Sequence, residues 1–316
     1  MRHARIKPDH CSTWHHCYNR IAGTPQDLPF GEVEKEQFVR ILNRVCRLFT
    51  VKVVAYEVMS NHFHLLINTP AELPSEEEIC ERYAQFHNGK RNIKPGTKKC
   101  TKWQARSRDV SWFMRYVQQL FTCWYNRSRP VERHGTLWAG RFKNTVLESG
   151  EAVWCCWKYI ECNALRAGLI THPAEYRFGS YGVWKQSGIH PFQRNVEELL
   201  LPVLAERFGF QTMDRVQQAM DAAVAEAVAD NASENHFDHS VSDSMCVNRF
   251  TLTVRRRVRY WTDGLVIGSE IFVRDIMSRF RNTDYAEQHR VEPVQDPSRN
   301  STDSASVLCA WRRLRV

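Results

Sequence analysis

The residues best suited to chemistry are two histidines one position apart, His62-Phe63-His64, and a tyrosine and an asparagine four apart, Tyr159 and Asn163. Alternate side chains of a strand project to one face, so a strand through 62–64 offers both imidazoles to one cation and turns Phe63 toward the core. Such a pair is half of a metal site, and equally a hydrogen-bonded pair of histidines. Residues four apart on a helix share a face, so Tyr159 and Asn163 would present a phenol and a carboxamide together. The carboxamide oxygen could complete a metal shell, and the phenol could act as a nucleophile on a metal-bound phosphate. The alternative is a packed aromatic and an asparagine near a helix end marked by Gly168.

The flanking sequence predicts the elements that must position these groups. Cys11 to Asn19 reads as a strand, and 22–31, with Gly23, Pro25, Pro29 and Gly31, as a loop. Phe38, Ile41, Leu42, Val45 and Leu48 fall at helical spacing within 32–49. Two β-rich runs, VKVVAYEVM and HFHLLIN, flank the turn Ser60-Asn61, so the histidines open the second strand of a hairpin. Ser75 followed by three glutamates resembles a capping box for a short helix to about His87. Residues 88–108 carry eight Lys or Arg and no acid, and their Pro and Gly predict a loop. A helix over 110–126 turns Phe113, Val117, Leu120, Phe121 and Trp124 inward. A strand over 135–147 and a helix over 151–167 follow. This order suits an α+β fold, a ferredoxin-like antiparallel sheet with helices on one face. A Pro- and Gly-containing stretch, 179–191, closes a first domain spanning 1–185.

Residues 190–316 read as a mainly helical accessory region with a polar, partly disordered tail. Helical periodicity covers 196–208 and 213–229, and 231–243 is a polar linker. A basic segment (VRRRVRY, 254–260), a turn at Asp263-Gly264 and a helix over 269–281 follow.

Composition narrows the function classes. The 316 residues are 43% apolar, enough for a substantial core. No run approaches the roughly 18 apolar residues that a membrane span needs, and the polar start is unlike a signal segment, so the expected address is cytoplasmic. The eleven cysteines are scattered and never form C-x-x-C, which fits reduced thiols; Cys155 and Cys156 are expected in the core. Residues 1–185 hold 28 Lys and Arg against 17 Asp and Glu, while the remainder is slightly acidic. A basic domain of this kind points to a polyanionic partner.

Four segments also resemble one family. MSNHFHLLI at 59–67 is similar to the M-P-N-H-x-H-L-L signature of HUH single-strand transposases, the set that includes the REP-associated tyrosine transposases. GTLWAGRFK at 135–143 resembles the family's G-x-L-W-x-x-R-[FY]-K strand, YIECNALRAGLI at 159–170 its tyrosine helix, and EYRFGSYGVW at 175–184 its closing segment. WTDGLVIGSEIFVRDIM at 261–277 resembles a C-terminal segment of some long members. Ser60 stands in place of the usual Pro, and Ala164-Leu165 in place of Pro-Val; neither change removes a chemical group.

The resemblance implies a metal-dependent endonuclease and strand transferase that acts on single-stranded or hairpin DNA, as a monomer or homodimer. His62, His64 and Asn163 would hold Mg²⁺ or Mn²⁺, and Tyr159 would form a 5′-phosphotyrosine, with Tyr116 as a competitor for that role. Arg141, Lys143, Lys90, Arg91, Lys98, Lys99 and Lys102 are expected at DNA phosphates, and Trp103 or Trp138 could stack on bases. Two alternatives remain: a domesticated regulator that binds DNA or RNA without cutting it, and a hydrolase in which the histidines activate water.

Overall fold

The structure is a computed structural model that describes residues 5–8, 11–24, 26–131, 133–234, 261, 264–281, 291–293 and 308–312. The chain forms two compact units, Lys7–Phe142 and Lys143–Val316 together with Met1–Ile6. The α+β class holds in both.

The first unit contains β1 (Thr13–Arg20), α1 (Glu32–Leu48), β2 (Lys52–Val58), β3 (His62–Thr69), α2 (Glu76–Phe86), α3 (Lys98–Ser107) and α4 (Val110–Arg127). Its strands lie in the order β2-β3-β1, each pair antiparallel. Phe63 on β3 meets Phe38 of α1 at 4.6 Å between ring centroids, and Phe38 meets Phe121 of α4 at 5.3 Å. All three rings are fully buried, each contributing about 2–3 kcal/mol of transfer free energy. Helices α1 and α4 therefore cover the sheet face that carries Phe63, and the alternation of β3 sends His62 and His64 to the opposite face. The inward stripe of α4 centres on Phe113, Met114, Val117, Phe121 and Tyr125, while Leu120 and Trp124 are half-buried at its edge.

Residues 88–108 depart from the expected loop. Pro95 and Gly96 lie before a helix and not within it. Thr97 caps α3, its hydroxyl accepting the Cys100 N–H at 3.2 Å. Trp103 then anchors the helix among Phe49, Tyr83 and Tyr116. The expected strand over 135–147 is also shorter. Gly135 at φ 94° and Gly140 leave 136–142 irregular apart from a single bridge between Ile21 and Trp138.

The second unit contains β4 (Lys143–Leu147), α5 (Glu151–Glu161), α6 (Asn163–Arg166), α7 (Ser180–Ser187), α8 (Gln193–Leu199), α9 (Leu201–Phe208) and α10 (Met213–Glu234). Beyond these come β5 (Gly264–Gly268), α11 (Glu270–Phe280), β6 (Glu292–Pro293) and β7 (Cys309–Arg312). Strand β4 runs parallel to β5, and β5, β7 and β6 pair antiparallel. The region after 190 is therefore less purely helical than its periodicity suggests, because short runs such as LVIG are bounded by glycines and give no helical repeat. The 179–191 stretch holds α7, which ends at the left-handed Gly188. The basic 254–260 segment lies outside the described residues, as does most of the polar tail. The described cysteines are free thiols, Cys155 and Cys156 among them in the core.

Candidate functional site

Strands β1 and β3 pair so that Tyr18 lies opposite His64 and Arg20 opposite His62. Opposed residues of an antiparallel pair share a face, so the alternate residues His16, Tyr18 and Arg20 line the same side as the two histidines. Strand β2 adds Glu57, also opposite His64, with 1% of its surface exposed. A row of Glu57, His64 and Tyr18 thus crosses three strands beside His62. The rings of His62 and His64 are 5.2 Å apart and nearly perpendicular, and Tyr18 lies 4.9 Å from the His64 ring.

Each histidine is held through the same nitrogen. His62 Nδ1 lies 2.6 Å from Asn61 Oδ1, and His64 Nδ1 lies 2.8 Å from His16 Nε2, whose ring is stacked on that of His64. With Nδ1 engaged on both, either ring would have to meet a cation through Nε2, the arrangement in which outer hydrogen bonds fix tautomer and orientation. Among the described residues no three His, Cys, Asp or Glu side chains are placed to hold a metal as a set. The donor chemistry therefore fits a two-imidazole half-site that needs a further oxygen. Sequence reasoning missed His16, Tyr18 and Glu57. Their signal is the alternation His16-x-Tyr18-x-Arg20, which points to this site only once β1 is registered against β3.

Tyr159 and Asn163 belong to the other compact unit. The helix expected to carry both is interrupted: the Cys162 N–H is shared between the carbonyls of Lys158 and Ile160, and α6 starts afresh at Asn163. Tyr159 is 3% exposed, its ring stacked on Trp261 at 5.4 Å and covered by the Arg166 guanidinium at 4.1 Å. The same Arg166 donates to Asn163 Oδ1. Arg166 thus bridges the phenol and the carboxamide that the spacing paired.

Between Tyr159 and Asn163 in sequence, at the end of α5, lies a buried carboxylate. Glu161 accepts from Trp157 Nε1 at 2.8 Å, from the Ser180 hydroxyl and from the Tyr181 N–H at 2.9 Å, tying α5 to the start of α7. Burial pushes its pKa up to about 7 against the lowering effect of those donors.

The remaining expected residues separate clearly. Lys90, Arg91, Lys98, Lys99, Lys102 and Arg141 are exposed, and Lys143 is half-buried at the start of β4. Trp103 is enclosed in the aromatic cluster described above. Trp138 packs against Phe30, Phe63 and Phe121, and its indole N–H donates to Thr122 Oγ1. Neither indole is placed to stack on a base. Tyr116 packs against Phe49, Phe86 and Trp103, and burial followed by the neighbouring Tyr83 raises its pKa, which disfavours a phenolate there.

Comparison with models of known protein families finds no match, and comparison with curated proteins finds none. Among solved structures, one described as a REP-associated tyrosine transposase bound to a REP hairpin is similar to 61% of this chain and 90% of its own, at TM-score 0.40 and 13% identity. At that distance the likeness says nothing of this chain's substrate. No described helix is long and apolar enough to cross a membrane.

Proposed function

We propose that the protein is a metal-dependent, single-strand DNA endonuclease and strand transferase of the HUH type. The observation that carries this reading is the presentation of His62 and His64 on one sheet face, each fixed through Nδ1, within a segment that resembles the family signature. Asn163 is the proposed source of the third ligand oxygen. A bound Mg²⁺ or Mn²⁺ would polarise the scissile phosphate and align it for in-line attack. Exposed cations of the first unit hold the DNA backbone, and His16 and Asn61 keep the two imidazoles in register.

In the proposed step the Tyr159 phenolic oxygen forms a bond to phosphorus and the P–O3′ bond breaks. The phenol loses its proton and the departing 3′ oxygen gains one, leaving a 5′-phosphotyrosine and a free 3′-hydroxyl. The phosphodiester energy is retained in the covalent link, which permits rejoining to another strand. For Asn163 to serve as a ligand, its Oδ1 must offer the cation its second lone pair beside the Arg166 contact, or that contact must open.

That contact, with the closed stack around Tyr159, favours one second reading: a regulator of the same fold that binds DNA or RNA without cutting it. Incubating the protein with a labelled single-stranded hairpin oligonucleotide and Mn²⁺, then running a denaturing gel, decides between them. A covalent protein–DNA band that is lost in Tyr159→Phe is expected. Its absence from the wild-type protein under conditions where the oligonucleotide binds would leave the regulator.

A further inference from the structure

On α3, Lys98, Lys102 and Arg106 follow at four-residue intervals and form one stripe, about 12 Å long at the helical rise. The stripe ends at an aromatic group on the next helix. Arg106 lies over the ring of Trp112 at 4.0 Å, and Arg115, one turn further along α4, lies over the same ring at 5.0 Å. Trp112 is half-buried, unlike the enclosed Trp103 and Trp138.

Among the described residues none of these cations is paired with a carboxylate. Elsewhere the arginines commonly are: Arg129 with Glu34, Arg194 with Glu198 and Arg274 with Glu270, for example. Of the acids of α2, Glu78 is held by Arg82, Glu76 by the Gly96 N–H and Glu81 by Gln85, while Glu77 acts on Cys100 of α3 without pairing any cation of the stripe. A different set of cations surrounds His87, at the end of α2, whose pKa is lowered first by burial and then by Arg91, Arg44 and Lys99. An unpaired, ordered row of this kind complements a polyanion. An indole face holds guanidinium forks in place for phosphate and can itself accept a base, a combination suited to an unpaired strand.

We infer that the Lys98–Lys102–Arg106 stripe and the Arg106–Trp112–Arg115 stack bind a stretch of single-stranded DNA at a second site, away from the His62/His64 face. The separation follows from the packing: α4 covers the Phe63 side of the sheet, and α3 packs against α4. The inference rests on the reading of the chain as one that handles single-stranded DNA. It assigns this site the strand flanking the cleavage point, and a role in affinity and not in bond breaking.

The test is fluorescence anisotropy with a labelled oligo-dT of about twenty nucleotides, in EDTA, across a series of salt concentrations. Arg106→Gln/Arg115→Gln is expected to lose about tenfold or more in affinity, with a salt slope shallower by about 1.4, the value for two phosphate contacts on a single strand. Trp112→Ala should also weaken binding and Trp112→Phe should retain it, while Arg194→Gln binds as wild type. Unchanged affinity and slope in the double variant overturn the assignment, as does tighter binding of duplex DNA or of oligo-U. Should the double variant fail to fold, acetylation of the wild-type protein gives the answer: oligo-dT must protect Lys98 and Lys102. An absent covalent adduct together with intact stripe-dependent binding would overturn the nuclease reading and leave this one standing.

Discussion

His64 Nδ1 lies 2.8 Å from His16 Nε2, and that contact decides which nitrogen His64 can offer outward. Removing it takes away the partner that fixes the state of Nδ1. His16→Gln is therefore expected to weaken Mn²⁺ binding by about 10–100-fold, the usual effect of losing an outer partner of a ligating histidine. Electron paramagnetic resonance of unbound Mn²⁺ measures this directly, and an unchanged affinity would reduce His16 to a packing role. At this scale the sequence is informative where alternation alone decides, as at His62-Phe63-His64. It is silent where the answer depends on which residue of one strand faces which residue of another. His16, Tyr18 and Glu57 reach the site through the register of β1 and β2 against β3, and a register is a property of pairs of segments.

Among the elements, those that follow a strong local period were readable: α1, the β2–β3 hairpin, α2 with its Ser75 cap, and α4. The 98–107 helix was not, because its Pro and Gly precede the cap and its burial depends on one indole entering an aromatic cluster assembled from α2, α4 and Phe49. The link between α5 and α7 was equally hidden. It is made by Glu161, a carboxylate with 2% exposure that collects three donors. Its folded pKa, about 7, lies above the unfolded value near 4.5, so the folded state holds the proton more tightly. The stabilisation linked to that proton is complete below pH about 4.5 and is lost as pH rises to about 7, an effect of roughly 3 kcal/mol. Urea unfolding across this range should show the decline as a falling difference between the wild-type protein and Glu161→Gln. Glu161→Gln should be less stable overall, since its amide faces a donor, but its deficit should shrink as pH rises through that window, because His190, whose pKa burial lowers to about 3, titrates alike in both proteins and with the opposite sign. A constant difference between the two across the window would assign the effect to other groups.

Over the whole molecule, charge is the feature that composition conveyed most faithfully. Residues 7–142 carry 21 Lys and Arg against 13 Asp and Glu, while the rest of the chain is nearly balanced at 23 against 22. The compact unit that holds the histidine pair is thus also the one that carries the excess positive charge. Binding and cutting should then separate: chelating divalent metal is expected to abolish the covalent adduct while leaving oligonucleotide affinity within about twofold, and that affinity should fall steeply with salt. Filter binding and gels on the same samples check this, and affinity lost together with the adduct would mean that the metal itself holds the strand. What composition did not convey is that the second unit is completed by the last segments of the chain. Trp261, a hundred residues beyond Tyr159, supplies one wall of the phenol's enclosure and Arg166 another. A shortened relative that stopped before residue 261 would keep every motif of the tyrosine helix and yet expose its hydroxyl in a different solvent environment. The seclusion of that ring therefore depends on chain far downstream of the helix that carries it.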